Sequence, residues 1–402
     1  MKQIKMAAAG ILVMASLGGI SMAQTNEPQN SAPPPPQKTW ADSITLKGDF
    51  RYRYESIKDD SKLNSSKETY TRERQRIRAR LGADAKCNDN LKVSVGLATD
   101  EGTGSGDPIS GNQTLTGGGS KKSFWLDYAF LDYNVLGDNP NEIHAIGGKM
   151  KNPFSAMQDD LVWDPDLTPE GIAVKAQFGG GLVTLLANGG YIWVQERSAN
   201  NDDSMLYAGQ AALKLQFIPE VTLTAGGSYY GFQNIKGNDC VDYQSPASSY
   251  GNSTINGTVV GSTTNKAWAS DYKPVVCFAQ LDLWVAGTPL SLFGQSLRNG
   301  DADTLNKGTM YGAAIGKSKN PGTWELGYSH AEVQKDATLG MWTDSDRWGG
   351  GTDGKGHKIY GKYQIMKNLQ GCVTYFIDKK TISDSKKTTD YNRLQVDVSA
   401  AF

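Results

Sequence analysis

The sequence predicts an all-β chain: a transmembrane antiparallel β-barrel of about sixteen strands, with short periplasmic turns and long extracellular loops. Three observations predict it. The first is the C-terminal stretch Tyr391–Phe402, YNRLQVDVSAAF. Phe402, Ala400, Val398, Val396 and Leu394 fall on one face, and Ala401, Ser399, Asp397, Gln395 and Arg393 on the other. Unbroken period-two alternation is a strand with one apolar and one polar side, and its length matches the ~9–11 residues of a tilted membrane strand. The second is an N-terminal export signal with no later apolar run long enough for a spanning helix. The third is the alternation of short and long connections between strands.

At the N-terminus, Lys2 and Lys5 precede the apolar run Met6–Ile20, and Ser21-Met22-Ala23 places small residues before Gln24. Residues 1–23 therefore read as a signal peptide. Residues 24–39 hold Pro33-Pro34-Pro35-Pro36 and read as an extended proline-rich periplasmic lead-in. The barrel is expected over 40–402, starting at Trp40.

Strands are expected at 46–55, 68–86, 91–98, 123–134, 143–149, 171–178, 182–194, 205–217, 221–234, 274–285, 290–297, 308–316, 323–333, 357–365, 370–379 and 391–402. The segment Leu91, Val93, Val95, Leu97 alternating with Lys92, Ser94, Gly96, Ala98 is typical. The registers of 123–134, 143–149 and 290–297 are ambiguous. Connections after even strands are short: Cys87–Asn90, Val135–Glu142, Gly179–Gly181, Ile218–Glu220, Ala286–Pro289, Lys317–Gly322 and Met366–Leu369. Those after odd strands reach ten residues or more, up to Ile235–Lys273. An even count puts both ends of the barrel on the short-turn side.

The sharpest chemical feature lies in the second strand, where Arg72, Arg74, Arg76, Arg78 and Arg80 share one face; Arg51 and Arg53 repeat the pattern in the first. Lipid would charge ~2–4 kcal/mol for each such residue near the midplane, so the ladder must face a wet lumen and line it. It either sets a field for passing solutes or pairs with carboxylates such as Asp49, Glu55 and Asp84. The third outer loop, Met150–Glu170, carries Asp159, Asp160, Asp164, Asp166 and Glu170 beside Trp163. If it folds inward, its acids face Arg74, Arg76 and Arg78 across a narrow water gap without closing into salt bridges. Otherwise it is an exposed acidic loop.

GDFRYRYE, RERQRIRARLGADA, FWLDYAFLDY, GKMKNPF and LVWDPDLTPEGIAV, together with the terminal strand, resemble the putative porin family of Gram-negative outer-membrane β-barrels. That resemblance implies a bacterial outer-membrane location and a water-filled channel, and the chain as a whole reads as a porin for diffusion of small hydrophilic solutes and ions. Resemblance to general porins implies a homotrimer and a constriction built by the third loop, and the closing strand resembles that of outer-membrane β-barrels, which makes Phe402 the signal read by the barrel assembly machinery.

Other chemistries lack support. Near balance of 41 Lys+Arg against 42 Asp+Glu argues against a nucleic-acid partner. His144, His330 and His357 are too scattered for a metal cluster or a His-based triad. The loop with Gly102, Gly104 and Gly106 leads to no helix, and Gly349–Lys355 lacks the Ser/Thr and helix of a phosphate-binding loop. The Asp-rich stretch Thr343–Gly354 lacks calcium-loop spacing. No catalytic residue, metal or cofactor is expected. Two alternatives stay open: a surface adhesin or receptor using the loops at 235–273 and 334–356, and a barrel enzyme. Cys240 and Cys277 flank one long loop and either pair or remain free.

Overall fold

The computed structural model describes residues 40–101, 106–137, 139–154, 157, 159–198, 202–241, 248–260 and 263–402. The expected signal peptide and proline-rich lead-in lie outside the described residues.

Sixteen antiparallel strands run in sequence order: β1 (Ile44–Leu63), β2 (Thr69–Lys86), β3 (Leu91–Thr99), β4 (Phe124–Asn134), β5 (Glu142–Lys149), β6 (Glu170–Gly180), β7 (Val183–Gln195) and β8 (Ser204–Ile218). They continue as β9 (Val221–Gln233), β10 (Pro274–Val285), β11 (Thr288–Asn299), β12 (Lys307–Gly316), β13 (Trp324–Val333), β14 (Gly354–Met366), β15 (Leu369–Lys380) and β16 (Thr389–Ala401). Each pairs with the next, and β16 pairs back on β1 from Asp49↔Ala401 to Asp59↔Tyr391. Closure leaves no strand edge unpaired, the condition for sheet in lipid. All sixteen expected segments are strands, including the three of ambiguous register.

Burial is inverted relative to a water-soluble protein. Val398 is 43% exposed and Phe402 68%, whereas Arg53 is 4% exposed and Glu55 not at all. Side chains alternate along each strand, so one set of apolar residues faces outward while the charged set faces in. Short turns link the strands at one end; Ala286 and Gly287, both at positive φ, make one of two residues. Several outer loops are shorter than expected because their strands run on: only 64–68 separates β1 from β2.

The long outer loops also turn inward. Phe154, Leu161 and Trp163 of loop 150–169, Ile235, Trp268 and Tyr272 of loop 234–273, and Leu339, Trp342 and Trp348 of loop 334–353 join one buried cluster. The lumen-facing residues Ile192, Leu206, Tyr230, Phe232, Phe278 and Leu297 of β7–β11 complete it. One side of the barrel is thus packed with apolar side chains, and charged side chains gather on the opposite side, along β1, β2 and β16. A hairpin, Thr254–Val260 with Thr263–Trp268, projects from the 234–273 loop. The alternative that uses 334–356 as a surface binding loop loses support, because Leu339, Met341, Trp342 and Trp348 are buried in this cluster.

Candidate functional site

The site begins with register. β1 and β2 align Asp49↔Arg80, Arg51↔Arg78, Arg53↔Arg76 and Glu55↔Arg74, and β16 sets Asp397 beside Arg53. Directly opposed residues share a face, and like charges so placed repel. Two of these rungs are arginine against arginine, so the wall needs carboxylates from elsewhere.

They come from the wall itself and from three loops. Asp397 holds Arg53 with a two-pronged pair at 2.7 and 2.8 Å, a geometry suited to guanidinium. Arg74 donates to Glu55 at 2.5 Å, and Arg80 to Asp49 at 2.7 Å. The loop after β3 sends Glu101 to Arg76 at 2.9 Å and Asn112 to Arg51 at 2.6 Å; its two-residue strand Gln113–Thr114 is pinned on β2. Asp166 of the third loop meets Arg78 at 2.9 Å and Arg80 at 3.2 Å. Asp346 of the 334–353 loop meets Arg393 at 2.8 Å and Arg53 at 3.4 Å.

The two acidic loops are bound to each other. Trp163 stacks on Trp342, the Ser345 amide donates to Asp164 at 2.9 Å, and the Asp164 amide donates to the Trp342 carbonyl at 2.7 Å. Burial works to raise Asp166 and Asp346, but the arginines outweigh it and hold both carboxyls low. Asp164 and Asp344 go the other way: burial, reinforced by neighbouring aspartates, raises both. Asp160 is pushed up to about 6 by burial, although it accepts from the Val162 and Trp163 amides.

Between wall and loops lies a 250 Å³ niche lined by Arg51, Arg78, Arg80, Asp164, Asp166, Asp344 and Asp346. Arg51 also borders a chamber of 610 Å³ lined by Arg53, Lys151, Asp160, Lys358, Lys362 and Gln395. The arrangement is a pair of charged cavities along one side of the barrel, both bordered by Arg51.

The structure brings Arg51, Arg53, Arg74, Arg76, Arg78 and Arg80 together on that wall. Arg72, opposite Ile57, stands exposed beyond them. Asp164 and Asp166 reach the niche. Asp159 instead pairs with Lys358 at 2.8 Å and lies 3.6 Å from Arg347. Glu170 is no loop residue: it opens β6, shares the outward face of Ile172 and Val174, and pairs with Lys149 at 3.0 Å. The expectation that opposed charges stay apart across water is also overturned, because loop packing carries Asp166 into direct contact with the ladder. Asp84 pairs with Lys47 at 2.6 Å, away from the ladder. Sequence reasoning missed Glu101, Asp344, Asp346 and Arg393; only the position of Arg393 on the polar face of the last strand pointed inward. Cys240 and Cys277 are both free thiols, one buried and the other exposed.

The model of the family described as "Putative porin" matches residues 64–260 and 269–402. The chain belongs to the putative porin family. Among solved structures, the high-pH structure of Pseudomonas putida OprB aligns with a TM-score of 0.55 and 10% identity, covering 90% of this chain and 94% of that one. The outer membrane channel DcaP of Acinetobacter baumannii aligns with a TM-score of 0.49 and 13% identity, covering 89% and 97%. No curated protein sequence matches. The fold shared with OprB is the barrel, and this porin-family chain is an outer-membrane channel protein of bacteria.

Proposed function

We propose that this porin passes small hydrophilic solutes and ions by diffusion, without catalysis. The observation that carries the reading is the charged lining shared by the arginine wall and the acidic loop edge around cavities of 250 and 610 Å³. Barrels of this strand number enclose an aqueous channel rather than a closed core. Burial of the 334–353 loop disfavours the adhesin reading, since its large side chains are committed to the interior. Phe402 is taken as the signal for the barrel assembly machinery and a homotrimer as the assembled form. Single-channel conductance in planar bilayers, with the reversal potential in a salt gradient, tests the reading; a folded barrel that carries no current refutes it.

A further inference from the structure

Within the ladder one cation stands apart. Arg53, Arg74, Arg76, Arg78 and Arg80 each hold a carboxylate within 3 Å. Among the described residues Arg51 makes no ion pair. One of its terminal nitrogens donates to Asn112, and its Nε is buried without a partner. Arg51 nonetheless lines both the niche and the larger chamber, so a solute moving between them passes it.

The loop edge carries a counterpart. Asp166 and Asp346 are held by two arginines each. Asp164 spends its oxygens on the backbone amides of Asp166 and Ser345. Asp344 accepts one amide, from Asp346 at 2.8 Å, and its only ion pair among the described residues is the long one to Arg347 at 4.0 Å, with the Lys358 charge acting from further round the chamber. It too lines both chambers. One cation and one carboxylate, on facing sides of the cavities, thus have capacity that the protein leaves unused.

We propose that Arg51 and Asp344 form a dipolar subsite for a small zwitterion, an ammonium carboxylate such as a short α-amino acid. The solute's carboxylate sits on the Arg51 guanidinium and its ammonium on Asp344. This deepens the porin reading and rests on it. A simple anion at Arg51 would share the niche with four aspartates, and a simple cation at Asp344 would share it with Arg78 and Arg80. Only a solute of both signs meets an attractive potential at each end. Asp344 resists ionisation through burial and the neighbouring Asp346, and an arriving ammonium is the partner that would favour its charged form.

Proteoliposomes carrying the full-length folded protein test this by osmotic swelling with glycine, glycerol and potassium glycolate, alongside KCl conductance in planar bilayers. Glycine should outpace both others by about fivefold, the size expected of two part-solvated ion pairs. Arg51→Gln and Asp344→Asn should each bring glycine down to the glycerol rate while KCl conductance persists; Arg51→Lys should keep part of the preference. Glycolate faster than glycine in the unaltered protein overturns the proposal, as does a glycine preference untouched in both conducting variants. Absence of both conductance and glycerol uptake in the unaltered protein overturns the porin reading itself.

Discussion

Trp163 and Trp342 stack with ring centroids 5.6 Å apart and planes 23° from parallel, tying the third outer loop to the loop before β14. Neither loop alone could stay inside a wet barrel, because each would leave an apolar edge in water. Together with Phe154, Tyr230 and Phe232 they form a buried aromatic cluster. Large-to-small changes at such sites cost ~3–5 kcal/mol. Trp342→Ala should therefore release the loop pair and raise single-channel conductance, with frequent transitions between levels. The barrel should still run as a folded, heat-modifiable species. Unchanged, quiet conductance would show that the loops are held by other contacts.

Asp160 gives the same loop a pH dependence. Its folded-state pKa, about 6, lies above the ordinary carboxylate value because the group is buried. The folded loop therefore binds the proton more tightly than the released loop does. This contribution is fully present below the ordinary value and is lost as pH rises through about 6. Amide exchange in Leu161–Leu167 should be slower at pH 5 than at pH 7.5 after correction for the intrinsic rate. Asp160→Asn keeps an oxygen for the Val162 and Trp163 amides and removes the titration, so it should flatten the profile. An equal pH dependence in the variant would assign the effect to other carboxyls such as Asp164.

The barrel wall was legible because alternation and turn spacing are local. Leu91–Ala98 and Arg393–Phe402 announce their two faces within a few residues, and lipid permits no other use of such segments. The cationic ladder was legible for the same reason. Its partners were not. Asp346 is 293 residues from Arg53, and nothing near Asp346 in sequence indicates that Trp342 and Trp348 will draw its loop into the lumen. Glu170 was misplaced by a boundary of one residue, and in a strand one position decides inside from outside. Packing, not pattern, selects which acids meet the ladder.

The closing β1–β16 seam ends on a close approach between Gly48 and Phe402. Gly48 and Phe402 exchange both backbone hydrogen bonds at 3.0 Å, and a methyl on Gly48 would stand 2.5 Å from the Phe402 ring. Phe402→Ser should lower the yield of outer-membrane barrel without changing export. Gly48→Val should lower it as well, by displacing the ring and crowding the Arg80 carbonyl on β2. Equal amounts of heat-modifiable barrel from all three forms would remove Phe402 from assembly.

The 234–273 loop divides into a buried base and an exposed tip. Ile235 and Tyr272 are buried, whereas Val259 is 64% exposed on the projecting hairpin. Thermolysin added to intact cells should cut at Val259 and spare the base. Protection of Val259 with cleavage at the turn 367–368 would reverse the assigned orientation.

The last prediction concerns charge selectivity. Asp159 is matched by Lys358 and Arg347, so its neutralisation should move selectivity little. Asp166 and Arg78 are different, because both border the niche. Arg78→Gln leaves Asp166 held by Arg80 and lowers the local charge by one, which should shift the reversal potential toward cations. Asp166→Asn leaves Arg78 still held by Asp49 at 3.2 Å and should shift it toward anions. Screening over ~8 Å at physiological salt confines each effect to the narrow section, so low ionic strength sharpens the measurement. Arg72 belongs to the same strand face but stands exposed beyond the paired rungs, and Arg72→Gln should leave the potential nearly unchanged. An Arg72 variant as effective as the Arg78 variant would mean that the ladder acts by its total charge, and that the niche is not where ions are sorted.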